Sequence, residues 1–208
     1  TVRSFLRDSH KPIIFMPIYV GYEKVFEGNT YLGELRGKAK QKESVLGIFK
    51  TLKDLKKNFG QVHLTFGDPI ELDGYLESHN PGWREQDHGP DFRPQWVKPV
   101  VNSLALEVAT QINKAASLNP INMVSLALLA TPRQAMDEKT LVQTLNLYGD
   151  LVNSMPYSSF TCLPEGEGQD WIHYAEKMQA VERRKHALGD IISVDETQAV
   201  MLTYYRNN

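Results

Sequence analysis

Thiols are scarce in this sequence, with Cys162 the only cysteine in 208 residues. One thiol excludes an internal disulfide and a cysteine-rich metal site, and it fits a reducing compartment. Long apolar runs are also missing. The longest, near Met123 to Ala130, falls far short of the roughly 20 residues that a membrane-spanning helix needs. Neither charge sign dominates: 23 Lys and Arg stand against 25 Asp and Glu, for a formal net charge of -2. This balance excludes a generally basic nucleic-acid binder and leaves room only for local basic patches. No signal-peptide pattern is visible, because Thr1-Val2-Arg3-Ser4-Phe5 leads into charged residues and not into an apolar segment. The sequence has no initiator Met and stops inside a helical pattern at Tyr204-Tyr205-Arg206-Asn207-Asn208. Both ends are therefore expected to be cuts within a longer protein. There is no internal repeat and no low-complexity tract.

What is present suffices for one large or two small domains, with 41% hydrophobic residues to build a core. Lys11-Pro12 opens the apolar run Ile13 to Val20, whose length and β-branched content predict a buried strand. Pro17 cannot donate to a ladder and is expected at the strand's end or beside a bulge. Residues Glu43 to Phe59 carry Val45, Phe49, Leu52, Leu55 and Phe59 at three- and four-residue steps, an amphipathic helix stopped at Gly60. Gln61 to Phe66 alternates as a short strand and ends at Gly67-Asp68-Pro69. Strand, helix and strand in this order predict a βαβ-like crossover, hence an α/β sheet.

Ser78 to Pro99 is broken by Pro81, Gly82, Gly89, Pro90, Pro94 and Pro99. It reads as a surface linker, with a domain boundary near residue 95. The expected division is 1–95 and 96–208. The second part reads as mostly helical. Val97, Val101, Leu104, Val108 and Ile112 form one stripe, and Leu141, Leu145, Tyr148 and Val152 form another behind Asp137 as N-cap. A helix near Met123 to Ala130, apolar all round, is expected to be buried. Residues 156–169 read as loop. Val181 to Arg184 and Asp190 to Val194 suggest a hairpin, and a last helix starts near Asp195 or Glu196.

Met16-Pro17-Ile18-Tyr19-Val20-Gly21-Tyr22-Glu23 resembles the fourth sequence block of glycerolipid acyltransferases, a strand ending in a Pro-centred motif. The bacterial glycerol-3-phosphate acyltransferases carry a similar Pro-Ile-Tyr-x-Gly-Tyr-Glu. Further similarities follow in that family's order: Glu34-Leu35-Arg36-Gly37, Lys40-Gln41-Lys42-Glu43-Ser44, Phe66-Gly67-Asp68-Pro69, Gly189-Asp190-Ile191-Ile192 and Met201 to Asn208. The resemblance implies the C-terminal half of an α/β acyltransferase domain followed by a mostly helical domain. It implies acyl transfer from acyl-CoA or an acyl-acyl-carrier-protein to the sn-1 hydroxyl of glycerol 3-phosphate. Its setting is peripheral, at an anionic membrane surface on the cytoplasmic face of the bacterial inner membrane. No cofactor, metal or nucleic acid is implied. In this family the general base is the His of a His-x-x-x-x-Asp motif, upstream of the region matched here. The 208 residues alone are therefore expected to be inactive. By the same resemblance, Pro17, Tyr19 and Tyr22 are candidate substrate-binding residues; the bland alternative is a core strand with two packed tyrosines. Glu23 is a candidate ion-pair partner for Lys40 or Lys42.

His63 and Asp68 also match His-x-x-x-x-Asp by spacing. Two identities in six positions arise often by chance. They fall along an extended strand, which holds its ends roughly 16 Å apart, so they read as a strand His and a turn Asp. The other enzyme reading, a stand-alone hydrolase, would use this His63. His79, His88 and Asp91 lack the tight spacing of metal ligands. Between Arg36 and Lys57, eight basic residues oppose Glu43 and Asp54, a local charge of +6. Lys50, Lys53 and Lys57 share one helical face opposite the apolar stripe. That face is a candidate dock for lipid headgroups, CoA phosphates or an acidic carrier protein, against the alternative of a solvated surface. A non-catalytic membrane- or carrier-docking module is the alternative to the enzyme reading. Trp83, Trp96 and Trp171 read as packing residues, with Trp83 and Trp96 also candidates for a membrane interface.

Overall fold

The computed structural model describes residues 1–24, 58–86 and 94–207. The helix expected from Glu43, the basic cluster with Lys50, Lys53 and Lys57, and also His88 and Asp91 lie outside the described residues. The chain forms two compact units. The first comprises 1–20, 64–116 and 158–160; the second comprises 21–63, 117–157 and 161–208.

In the first unit, helix α1 (Val2–Arg7) precedes strand β1 (Ile14–Phe15). The apolar run does not form one strand. It breaks at Met16-Pro17 and resumes as β2 (Ile18–Tyr22), because Pro17 has no N–H for a ladder. β2 pairs with β3 (Val62–Phe66). β1 pairs antiparallel with β4 (Ile70–Glu71), setting Ile14 opposite Glu71 and Phe15 opposite Ile70. Helix α2 (Leu72–His79) follows at once, with the Leu72 N–H donating to the Ile13 carbonyl at 2.9 Å.

The expected crossover is corrected here. The Gly67 N–H donates to the Pro17 carbonyl at 2.9 Å, and the Glu23 N–H donates to the Gln61 carbonyl at 3.3 Å. Residue 17 thus pairs with 67 and residue 23 with 61, so β2 and β3 run antiparallel.

The expected surface linker is also corrected where it is described. Trp83, in a 3-10 turn (Trp83–Glu85), is fully buried and packs on Phe5 with ring centroids 5.6 Å apart and the planes tilted by 38°. Such a pair contributes about 0.5–1.5 kcal/mol beyond area burial. Trp83 is therefore a core residue and no membrane anchor. Helix α3 (Val97–Lys114) completes the unit. Pro99 fits its first turn, where the missing N–H has no helical partner to lose. Its buried face carries Val97, Val100 and Leu104 against Phe5, Leu72, Leu76 and Trp83. Val100, and not the expected Val101, takes the second position.

The second unit is built around α4 (Pro120–Leu129), apolar on nearly every side and buried as expected. Asn119 and Asn122 cap it reciprocally, each side-chain oxygen accepting the other's backbone N–H at 2.9 and 3.0 Å. α4 packs against α5 (Glu138–Ser154), α6 (Gly168–Lys177) and α7 (Glu196–Asn207). Asp137 caps α5 as expected, accepting from the Thr140 N–H at 2.9 Å. The expected hairpin is β6 (Glu182–Arg184) against β7 (Ile191–Ser193), and β5 (Ala135–Asp137) pairs on the other side of β7. The mostly helical half thus carries a small antiparallel sheet. α6 and β5 are elements that sequence reading left out. No described helix is long and apolar enough to cross a membrane.

Candidate functional site

Along β2, burial alternates: Ile18 exposed, Tyr19 half-buried, Val20 exposed, Gly21 buried, Tyr22 exposed. Pro17, just before the strand, is buried. A Cβ added at Gly67 would stand 3.1 Å from the Gln111 carbonyl, 3.4 Å from Pro17 Cβ and 3.6 Å from Ala115 Cβ. The lack of a side chain at Gly67 therefore lets the Pro17 break sit close against the end of α3. Period-two alternation puts Tyr19 on the same side of the chain as Pro17 and turns Tyr22 to the other side. The three candidates do not share one face.

The strongest polar cluster of this region is one that sequence spacing did not reveal. Glu23, directly after β2, is 3% exposed. Its Oε2 accepts from the Gln61 backbone N–H at 2.6 Å and from the Tyr174 hydroxyl at 2.5 Å. Its Oε1 lies 3.4 Å from His63 Nε2. The neighbouring Lys24 donates from Nζ to the Met178 carbonyl at 3.2 Å. Burial, followed by the bond to Glu23, pushes the Tyr174 phenol far above its usual range, so Tyr174 is a neutral donor at any physiological pH.

Gly60 makes room for the cluster. Its φ is +74°, and a Cβ there would fall 2.3 Å from Glu23 Oε2 and 2.8 Å from Met178 Cε. Only glycine satisfies both demands. Lys40 and Lys42, the expected partners of Glu23, lie outside the described residues. The sequence signal for this cluster was the Glu closing the Pro-Ile-Tyr-x-Gly-Tyr-Glu motif. Tyr174 stands 151 positions away on α6, and no local spacing links it to Glu23.

His63 is a strand residue whose ring faces Glu23, while Asp68 is exposed beyond the end of β3. The strand-His and turn-Asp reading describes this arrangement. A carboxylate next to an imidazole can orient the ring. The described partners of the Glu23 carboxylate are, however, the groups of a structural joint: a backbone amide, a phenol and a half-buried ring. His79 stacks on Tyr75 at 4.1 Å and takes local bonds to Ser78 and the Tyr75 carbonyl. Among the described residues no group of three metal-ligating side chains forms. Cys162 is exposed, on the loop before α6.

The family model described as "Glycerol-3-phosphate acyltransferase C-terminal region" matches residues 31–208. The chain belongs to this family. Two proteins named "Glycerol-3-phosphate acyltransferase", from Pseudomonas putida and Pseudomonas aeruginosa, are 54% and 52% identical to it over 208 residues. Each comparison covers 100% of this chain and 25% of the relative. The chain therefore spans about a quarter of the length of the curated relatives it matches. Within the family's C-terminal region, the match includes Tyr174, His63 and Gln61 of the Glu23 cluster and begins after Glu23 itself.

Proposed function

We propose that this chain is the C-terminal quarter of a glycerol-3-phosphate acyltransferase and forms part of the wall of its acyl-transfer cleft. The whole enzyme moves an acyl group from acyl-CoA or an acyl-acyl-carrier-protein to the sn-1 hydroxyl of glycerol 3-phosphate. The general-base His and its Asp belong to polypeptide outside these 208 residues, so the chain alone is inactive. Tyr22 contributes to the cleft from the exposed side of the β2 segment, and Pro17 and Tyr19, on the other side, hold that segment in place. Lys50, Lys53 and Lys57 hold the enzyme at an anionic membrane surface, on the cytoplasmic face of the inner membrane. The observation that carries this reading is the 52–54% identity over all 208 residues to proteins of that name.

The test replaces the aligned quarter of the Pseudomonas putida relative with these 208 residues. The graft is expected to form 1-acylglycerol 3-phosphate, and the 208-residue chain alone to form none. A folded graft that yields no product, or yields the 2-acyl isomer, contradicts the proposal. For the docking face, charge reversal at Lys50, Lys53 and Lys57 is expected to abolish low-salt binding of the graft to phosphatidylglycerol vesicles. Unchanged binding makes that face a solvated surface.

A further inference from the structure

Burial alternates without a break from Ile13 to Val20, and the exposed members are Ile14, Met16, Ile18 and Val20. On β3, Leu64 and Phe66 are exposed in the same rhythm. Continuing the pairing set by the Gly67 N–H and the Pro17 carbonyl sets Ile18 opposite Phe66 and Val20 opposite Leu64. Six large apolar side chains of the first unit, each between 40% and 59% exposed, thus stand on the outward positions of this layer. The inward positions Ile13 and Phe15 already pack on the core of α1, α2 and α3. A half-exposed strand normally alternates apolar-in and polar-out, whereas strands apolar on both sides belong to sheets covered on both faces. A two-stranded ribbon is also marginal by itself and needs a further layer or further strands.

We propose that this open apolar face is the seat of the acyltransferase polypeptide that the relatives carry and these 208 residues do not. The proposal rests on the acyltransferase reading above. The occupant follows from length: the whole of this chain accounts for only 25% of each relative. The remainder is large enough to supply a covering layer. A lipid surface is a poorer fit, because among the described residues the charged neighbour on this side, opposite Ile14, is the acidic Glu71, and none of the six outward side chains is a Lys or Arg of the kind that rims a membrane-binding face.

The test is oxidative footprinting of Met16, scaled to the same protein unfolded in urea. In the chain alone Met16 is expected to label strongly. In the graft described above its labelling should fall at least tenfold. Strong labelling of Met16 in the folded graft overturns the proposal. So does shielding in the chain alone that grows with protein concentration, which marks a second copy as occupant, or shielding by phosphatidylglycerol vesicles. A second variant checks the same face. Leu64→Lys should leave the thermal midpoint of the chain alone unchanged and lower that of the graft, and equal effects in both overturn the seat. Acyl transfer by the graft reads the functional proposal separately. An active graft with Met16 still labelled removes only the seat, and an inactive graft with Met16 shielded removes only the function.

Discussion

Glu23 is a buried carboxylate satisfied by donors from its own strand neighbourhood and from α6. Removing one of those donors leaves a buried acceptor under-bonded, which costs about 1–3 kcal/mol. Tyr174→Phe is therefore expected to lower the unfolding free energy by an amount in that range, seen as a lower urea midpoint with the slope of the transition unchanged. Arg183 presents the mirror case. Its guanidinium bonds Glu176 at 2.7 and 3.0 Å, Glu138 at 2.6 Å and Asp190 at 3.1 Å. The bond from Arg183, then that from Gln169, holds the Glu138 carboxyl below its usual range. A depressed folded-state pKa stabilises the protein above the unfolded value, near pH ~4.3, and that contribution is lost as pH falls through the folded value. Arg183→Met should thus be less stable than the parent near neutrality, and the gap should narrow by about pH 3. Urea titrations at the two pH values check this, and a gap that stays constant would remove Arg183 as the cause. The motif ending at Glu23 was legible in the sequence because its residues are contiguous. Tyr174 and the three carboxylates around Arg183 were not, because long-range packing alone brings them together.

Elements read well where the signal was local. The Asp137 cap, the apolar helix around Val124 and the β6–β7 hairpin all follow from neighbours within a few positions. Strand direction did not read well. A strand, a long connection and a strand look the same in sequence whether the second strand returns parallel or antiparallel, and only the 17–67 and 23–61 pairing decides. The face of α3 slipped by one residue for a similar reason. Steps of three and four both suit a 3.6-residue period, and contact with Trp83 and Leu72 selects Val100. α6 was hidden by its start, Glu167-Gly168-Gln169-Asp170, which has turn composition yet forms a reciprocal cap. Gly168 there serves close approach: a Cβ would stand 2.8 Å from the Val142 carbonyl and 2.9 Å from Leu145 Cβ. Gly168→Ala is expected to cost about 1–3 kcal/mol by forcing α5 and α6 apart. Denaturant unfolding measures it, and a neutral or stabilising effect would mean the helices yield freely.

At the scale of the whole molecule, neither unit is a continuous stretch of sequence. Each draws on both halves of the chain. Composition marks where proline and glycine concentrate, and this does not report which segments fold together. The stretch holding Trp83 reads as a linker by that measure, yet it supplies a core residue. The apolar run from Ile13, by contrast, reads as a buried strand, and its outward half, Ile14, Met16, Ile18 and Val20, is exposed in these 208 residues.

The claim on which the account turns is that the segment following β1 borders the acyl-transfer cleft, and Tyr22 offers the cleanest probe of it. Tyr22 is 51% exposed, so its loss should leave the folding of these 208 residues intact. In the graft with the Pseudomonas putida relative, Tyr22→Ala is predicted to reduce kcat/KM for glycerol 3-phosphate acylation roughly tenfold, about 1.4 kcal/mol. An active graft whose kcat and KM are both indifferent to Tyr22→Ala would contradict the account.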